Sequence, residues 1–336
     1  MIQRSISILK NMQHSSGLMS ASHKNVKTGY NAAWLRDNVY EAMGFEAVKK
    51  HREVKKIYRA LLDILLKHEY KIDHAIREKP DARHKYIHAR YDPATGNEIW
   101  EEWGNKQNDA IGAILFKIGD LEEKGIKILR NHHDKRIIQK LVYYLRSIEY
   151  WHDEDSGMWE ENEEIHASSV GACAAGLKKI GKVLDIEVPK WMIDRGMNTL
   201  NVLLPRESAT KETDLSLLSL IYPYNIVDES QKKMILSNVE NMLVRKRGVI
   251  RYTGDVYYNK TGEKGKEAEW TFGFPWLSKI YKEMKKPAKH AYYMRKTIAC
   301  FNKKKELPEL YYAGSRKHNE NSPLGWAQAM YLVMMR

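Results

Sequence analysis

The sequence has few of the residues and runs that define several common protein classes. Its 336 residues include only two cysteines, Cys173 and Cys300, which cannot form the disulfide framework of a secreted scaffold of this length. The 9 prolines and 20 glycines form no low-complexity stretch, which argues against a disordered or fibrous chain. We therefore expect a large globular protein.

Long apolar runs are also missing. No stretch approaches the roughly 18 apolar residues that cross a bilayer, and the mean hydropathy is −0.60. The first residues have only a broken apolar run and no small-residue cleavage site, unlike a signal peptide. These absences predict a cytoplasmic protein with no membrane association.

The charge balance is basic but finely mixed. The chain has 56 Lys and Arg against 43 Asp and Glu, for a net charge of +13. Basic chains often bind nucleic acid. Here acids alternate with bases almost everywhere and no recognisable nucleic-acid motif occurs, so we expect no nucleic-acid partner.

Helical periodicity dominates the sequence. Val54, Ile57 and Leu61, for example, recur at the spacing that places apolar residues on one helix face. Similar patterns predict about a dozen helices, near residues 2–12, 34–50, 53–70, 107–119, 134–150, 166–183, 188–203, 213–221, 230–244, 269–284, 288–302 and 323–335. Strand signals are few, and Gly248–Tyr258 is the best candidate for a short extended or hairpin segment.

No linker or change of composition divides the chain, so residues 1–336 are predicted to form one domain. A dozen helices in one domain suit an all-α (α/α)6 barrel, in which six inner helices are ringed by six outer ones. A helical solenoid is the alternative, but no repeat of fixed period is present.

Five connections between the predicted helices combine aromatic residues with carboxylates, basic groups or amides. They are GYNAAWLRDN, IWEEWGNKQND, DSGMWEENEEIHASS, RYTGDVYYNK and ELPELYYAG. Carbohydrate sites use this mixture, because aromatic rings stack on sugar faces while charged groups bind hydroxyls. Glycoside hydrolysis further requires two carboxyl groups beside the scissile bond. A carboxyl group buried near a tryptophan has a raised pKa and can serve as the acid.

Each segment, taken alone, also fits a structural role. Arg36 and Asp37 could be an ion pair at a helix start, and the tryptophans could be core residues. Glu160 and Glu161 could belong to a solvated acidic turn, and Glu309 could follow Pro308 at a helix start. The joint occurrence of the segments favours the carbohydrate site.

Other chemistries find little support in the sequence. His84 and His88 lie in a stretch that resembles a loop, and no third ligand accompanies them. No phosphate-binding glycine loop or nucleophile elbow occurs in a suitable context. We therefore predict no metal and no cofactor, and we expect Cys173 and Cys300 to be buried thiols.

The order of the segments resembles glycoside hydrolase family 15, the glucoamylase and glucodextranase family. It also resembles the related N-terminal domain of phosphorylase kinase α and β subunits. The resemblance rests on AAWLRDNVY, WGNKQND, GMWEENEEIHASSVG and SPLGWAQAMYLV, which occur in the family's order from about residue 17 to residue 332. The third segment resembles the acid-bearing "GxWE … NASS" motif of the family.

The resemblance implies an (α/α)6 barrel that hydrolyses α-glucosidic bonds from the non-reducing end with inversion. By position, Glu160 would be the general acid and Glu309 the general base. The remaining positions would bind substrate: Arg36, Asp37, Trp103, Trp159, Glu161 and Arg251. An inverting pair of carboxyl groups lies roughly 6.5–9.5 Å apart, which leaves room for a water molecule.

One departure from the family concerns the base, because Leu310 follows Glu309 where typical glucoamylases have Gln. We expect short, soluble α-linked gluco-oligosaccharides or disaccharides as substrates. The alternative is a non-catalytic glucan-binding or regulatory domain like that of the kinase subunits. A third possibility is another (α/α)6 sugar enzyme, either trehalase-like or phosphorolytic, since one fold hosts many functions.

Overall fold

The fold consists of helices joined by connections that contain four very short strands. It is taken from a computed structural model and is described for residues 1–101, 104–259, 261 and 263–336. The helices are α1 (Ile2–Met12), α2 (Leu35–Ala47), α3 (His51–Lys67), α4 (Glu69–Arg77), α5 (Asn108–Glu123), α6 (His132–Ser147), α7 (Ala167–Val183), α8 (Lys190–Leu203), α9 (Leu218–Ile221), α10 (Glu229–Asn238), α11 (Gly273–Glu283), α12 (Pro287–Ala299) and α13 (Gly325–Met334).

These helices form two concentric rings. The inner ring is α2, α5, α7, α9, α11 and α13, each packed against the next, and it closes where α13 packs on α2. The other helices lie outside and alternate with the inner ones along the chain: α1, α3 with α4, α6, α8, α10 and α12. This arrangement confirms the predicted (α/α)6 barrel.

Sequence pattern explains which helix lies in which ring. The outer helix α3 buries Val54, Ile57 and Leu61 on one face and leaves its charged face to solvent. Every residue of the inner helix α13 is buried, and its sequence is almost entirely apolar. Helices α5 and α7 approach very closely. A Cβ atom at Gly112 would lie only 2.4 Å from the backbone of Ala172, so glycine is needed there.

The four strands tie together the connections that precede the inner helices. Strand β1 (Ala33–Trp34) pairs antiparallel with β2 (Arg90–Tyr91), and β3 (Glu269–Trp270) pairs antiparallel with β4 (Leu310–Tyr311). The prediction of short extended segments in the connections is thus confirmed.

Three predicted elements need correction. The helix predicted over 53–70 ends at Lys67, and a separate helix, α4, follows it at Glu69 and packs against α6. Of the two forms predicted for residues 248–258, the hairpin is wrong and extended pairing with other segments is found. Val249 pairs with Val244 and Trp270, and Tyr252 pairs with Asp214.

The third correction concerns the helix predicted over 213–221 with Thr213 as its cap. The cap is Asp214, whose carboxylate accepts from the backbone N–H of Ser216 at 2.7 Å. A single 3₁₀ turn and the four-residue α9 follow. The helix stays short because Tyr222 and Pro223 end it.

Both cysteines are buried, as predicted, with exposures of 0% for Cys173 and 1% for Cys300. Within the described ranges, every helix is too short or too polar to cross a lipid bilayer.

Candidate active site

The connections that enter the inner helices bring their polar and aromatic residues to one end of the barrel. Asp37 lies in the first turn of α2, and Gln107 immediately precedes α5. Glu160 lies in the connection before α7, Trp270 in the strand before α11, and Trp326 in the first turn of α13. Since inner helices run parallel to one another in this fold, residues at their starts converge.

These residues surround a cavity of about 60 Å³. It is lined by Ala21, Tyr30, Trp34, Arg36, Asp37, Met158, Trp159, Glu160, Arg251, Trp270, Glu309, Leu324 and Trp326. The lining combines aromatic rings with three carboxyl groups and two guanidinium groups, the chemistry that sugars require.

Glu309 is fully buried in the cavity wall and is held by three donors. The Tyr30 hydroxyl donates to Oε1 at 2.7 Å, and the side-chain amides of Asn321, at 2.8 Å, and Asn319 donate to Oε2. Burial raises the pKa of Glu309, and the three hydrogen bonds oppose that rise because they favour the carboxylate.

Glu160 has a different set of side-chain contacts and an unusual backbone conformation. Its Oε1 accepts from Gln107 at 2.9 Å and from Arg36 at 3.5 Å. Its φ of 63° is rare for a residue with a side chain. A Cβ atom at Gly104 would lie 2.6 Å from the carbonyl oxygen of Glu160, so only glycine allows this approach.

Arg36 and Asp37 lie side by side where α2 begins. The Arg36 guanidinium donates to Gln107 at 2.8 Å and to Asp109 at 3.1 Å, which fixes its plane. Burial raises the pKa of Asp37 to about 7, with Arg36 opposing the rise and the Glu160 carboxyl group adding to it. Asp37 is therefore electrostatically coupled to the predicted acid.

Trp159 and Arg251 lie on the side of the cavity that is lined by aromatic rings. The Trp159 indole donates to Asp214 at 2.7 Å, which fixes the ring. The Arg251 guanidinium lies 5.5 Å from the Trp159 ring and 5.1 Å from the Trp270 ring. Asp255 binds Arg251 through two hydrogen bonds of 2.6 and 2.7 Å, so the guanidinium presents a fixed face.

Glu161 points away from the cavity lining and into an ion-pair cluster. It accepts from Lys211 at 2.7 Å, from Arg251 at 2.8 Å and from the Tyr252 hydroxyl at 2.8 Å. Burial acts to raise the pKa of Glu161, but the charges of Arg251 and Lys211 hold it below its ordinary value. Glu161 thus supports Arg251 from behind.

The cavity gathers most of the residues predicted from the sequence: Arg36, Asp37, Trp159, Glu160, Arg251 and Glu309. Glu161 contacts this group through Arg251. Trp103 lies outside the described residues, and its predicted role stays a prediction.

The sequence reasoning missed several residues of the site. Tyr30 and Gln107 lie within segments that had been singled out, but nothing in their local pattern indicated a contact with a predicted carboxyl group. Asn319 and Asn321 lie in the loop before the closing helix α13. Two amides close to the GW of that helix were the only available signal.

No three His, Cys, Asp or Glu side chains of the described residues are grouped as ligands of a metal ion. The polar groups of the cavity instead contact one another through direct hydrogen bonds.

The fold and this site define a family. The sequence profile of glycosyl hydrolases family 15 matches residues 1–186, more than half of the chain. The chain belongs to glycosyl hydrolases family 15.

Individual relatives are more distant. A probable phosphorylase b kinase regulatory subunit alpha of Caenorhabditis elegans is 24% identical over 94% of this chain, which spans 31% of that protein's length. A solved glycosidase superposes with a TM-score of 0.84 at 20% identity, covering 99% of this chain and 94% of its own. A variant of a glycosidase in complex with glucose superposes with the same TM-score and coverage. These structural likenesses show the fold.

Proposed function

We propose that the chain is an inverting, exo-acting glycoside hydrolase that cleaves α-glucosidic bonds of short α-glucosides and releases β-glucose. One observation carries the proposal: Glu160 and Glu309 line the same cavity, yet each is held by its own set of donors. Separate support lets the two carboxyl groups take different protonation states, as an acid and a base must.

The proposed reaction uses one water molecule. Glu160 gives its proton to the glycosidic oxygen as the bond to the anomeric carbon breaks. Water attacks that carbon from the opposite face while Glu309 takes one of its protons. The products are β-glucose and the leaving sugar with a new hydroxyl group, and proton exchange with solvent restores both carboxyl groups.

The hydrogen bonds indicate which carboxyl oxygen of Glu309 would accept the proton of the attacking water. Oε2 of Glu309 already accepts two amide donors, whereas among the described residues Oε1 accepts from the Tyr30 hydroxyl alone. Because each carboxylate oxygen can accept about two hydrogen bonds, Oε1 has room for the attacking water.

Exo action is supported by the floor of the cavity. Trp326 is 4% exposed and stacks on Phe272 at 4.7 Å and on Tyr40 at 4.4 Å, so aromatic rings close the bottom. A cavity with a closed floor accepts the end of a chain and not its middle. Arg36 and Asp37 at its wall would bind hydroxyl groups of the terminal sugar.

Proton NMR of the purified protein with α-linked glucose disaccharides and malto-oligosaccharides tests the proposal. We expect β-glucose to appear before mutarotation, and the preferred disaccharide to reveal the linkage. Glu160→Gln and Glu309→Gln should each lower turnover by about 10²- to 10⁴-fold. Glu154→Gln, an exposed carboxyl group of the same connection as Glu160, serves as the control and should retain full activity.

The second candidate is a glucan-binding regulatory domain, which the kinase-subunit relatives favour. Under that function, no sugar is released over days, while glucans still perturb the signals of cavity residues. Release of α-glucose would instead retain a hydrolase but overturn inversion.

A further inference from the structure

A second concave surface lies beside the connection that carries Glu309. It is a groove of about 920 Å³ formed by the end of α12, the loop that follows it, β4 and the segment after β4. We call it the basic groove, and the residues that matter for its chemistry are Arg247, Lys303, Lys304, Arg316, Asn319 and Ser322.

The groove carries an excess of positive charge. The side chains of Arg247, Lys303, Lys304 and Arg316 make no ion pair within the described part of the chain. The lining also contains two acids, Glu306 and Glu320, so the cations outnumber the acids by four to two. Glu306 pairs with Arg4 at 3.5 Å and accepts from Asn302 at 3.1 Å, and Glu320 accepts from Tyr258 at 3.3 Å.

A solvated lysine turn would account for Lys303 and Lys304 alone, but it does not account for Arg247. Its guanidinium lies 5.5 Å from the ring of Tyr311, which is 4% exposed. Its backbone carbonyl also accepts from the Cys300 thiol at 3.0 Å. Arg247 thus lies against the wall of the groove. The concave surface adds the electrostatic potentials of the other cations to that of Arg247, which favours binding of an anion.

Asn319 contributes an uncharged amide oxygen that needs a hydrogen-bond donor. It is 1% exposed and lines the groove, and its Oδ1 has no hydrogen-bond partner among the described residues. A buried acceptor without a partner is costly. A fully ionised phosphate cannot donate to it, whereas a sugar hydroxyl can.

We propose that the basic groove binds a phosphorylated sugar, with the phosphate on the Arg and Lys side chains and a hydroxyl donating to Oδ1 of Asn319. The other end of the same amide donates to Oε2 of Glu309. A donor on Oδ1 polarises the amide and strengthens that second hydrogen bond. The bound sugar phosphate thereby stabilises the Glu309 carboxylate, a consequence that rests on the proposed function.

Calorimetry tests binding without any need for turnover. Glucose 1-phosphate and glucose 6-phosphate are titrated in the presence of saturating glucose, which occupies the sugar cavity, at fixed ionic strength. We expect one or both to bind the parent protein and to lose about tenfold or more in affinity in Lys304→Ala/Arg316→Ala. Lys282→Ala/Lys286→Ala, which removes the same charge where α11 ends and α12 begins, should bind as the parent does.

Equal affinity in the parent and the Lys304→Ala/Arg316→Ala variant would overturn the groove as the site. Sulfate is a dianion without a hydroxyl donor, and sulfate that binds as tightly as the sugar phosphates would overturn the assignment of the sugar hydroxyl to Asn319. In turnover assays, a saturating sugar phosphate should move the acidic limb of the kcat profile to lower pH in the parent alone. An unmoved limb would overturn the link to Glu309, whereas a protein without turnover would contradict the hydrolase and leave the binding result intact.

Discussion

At the scale of single residues, Glu309 shows how neighbours set the state of a buried carboxyl group. Burial favours the neutral acid, and the donors Tyr30, Asn319 and Asn321 favour the carboxylate. Under the proposed function Glu309 is the base and must be ionised, so the balance between burial and these donors would decide at which pH it can act.

Removing one donor should therefore shift the pH dependence of turnover. In Asn321→Ala, the pKa of Glu309 rises because a hydrogen bond to the carboxylate is lost, so the acidic limb moves to higher pH. We also expect kcat to fall about tenfold to a hundredfold at neutral pH. Stopped assays from pH 4 to pH 8 measure both effects, and Asn97→Ala in an exposed turn is the control. An unshifted limb would contradict the role of Asn321.

Glu41 is a buried carboxyl group that contributes nothing to the cavity lining. It is 0% exposed, lies one turn after Asp37 on α2, and neither carboxyl oxygen has a partner within the described residues. Burial, and then the charge of Asp37, raise the pKa of Glu41 well above 4.5. The folded chain thus binds this proton more tightly than the unfolded chain does.

This difference in proton binding predicts that the free energy of unfolding depends on pH. Because the native pKa of Glu41 is raised, its contribution is most favourable below about pH 4.5 and falls as the pH rises above that value. Glu41→Gln should be more stable than the parent by at least about 1 kcal/mol at pH 7, and this gain should vanish near pH 4. Urea unfolding across that range gives both curves, and a gain independent of pH would show that Glu41 is not the source.

At the scale of elements, the loop that presents Glu160 is closed at its neck. Asp155 and Glu164 pair through two backbone hydrogen bonds of 2.9 and 3.0 Å. Just beyond this neck, His166 is 2% exposed and its Nδ1 lies 3.3 Å from Oε1 of Glu207. Burial opposes its charge, but the hydrogen bond to Glu207 and the charge of Asp155 raise the pKa of His166 to about 9.

His166 stands where the family motif has Asn, so His166→Ala and His166→Asn form an informative pair. The alanine variant leaves Glu207 buried without its cation and should lose about 3 kcal/mol of stability. Since the native pKa of His166 is raised, the parent keeps this stability below about pH 6.5 and loses it as the pH rises through 9.

The two variants separate a positioning role from a purely structural one. We expect kcat to fall in His166→Ala with KM nearly unchanged, and to recover partly in His166→Asn, whose amide can bond Glu207. Thermal unfolding from pH 6 to pH 10, together with initial rates, measures these effects. A parent whose stability does not change between pH 6.5 and 9 would rule out the charged histidine.

At the scale of the whole molecule, ring closure depends on how closely neighbouring inner helices pack. Gly112 on α5 faces the backbone of Ala172 on α7, and a Cβ atom there would lie 2.4 Å away. Neither backbone can move without moving its whole helix, so a methyl group added at Gly112 would disturb the packing of the barrel.

Gly112→Ala should therefore destabilise the protein by about 1–3 kcal/mol, even though alanine favours helix over glycine. Gly119→Ala, two turns further along α5, meets Cγ of Lys179 at 2.8 Å and backbone atoms only at 3.2 Å or more, and should destabilise the protein less than Gly112→Ala does. Urea denaturation compares the two variants. Similar midpoints for both would contradict the tight packing of α5 on α7.

Most of the helices were predictable because their periodic apolar faces are local features. The prediction over 166–183 matches α7 within one residue, and that over 2–12 matches α1. The break between α3 and α4 was missed because no glycine or proline marks it. Packing of α4 on α6 imposes the break, and that contact joins segments far apart in the chain.

The amino-acid sequence by itself determined most of the helices, because hydrophobic periodicity acts within each helix. It also concentrated carboxylates and aromatic rings in the connections. Only the tertiary structure decided which of them meet. Gln107 reaches Glu160, and Tyr30, Asn319 and Asn321 reach Glu309, because ring closure brings together helix starts that are distant in sequence.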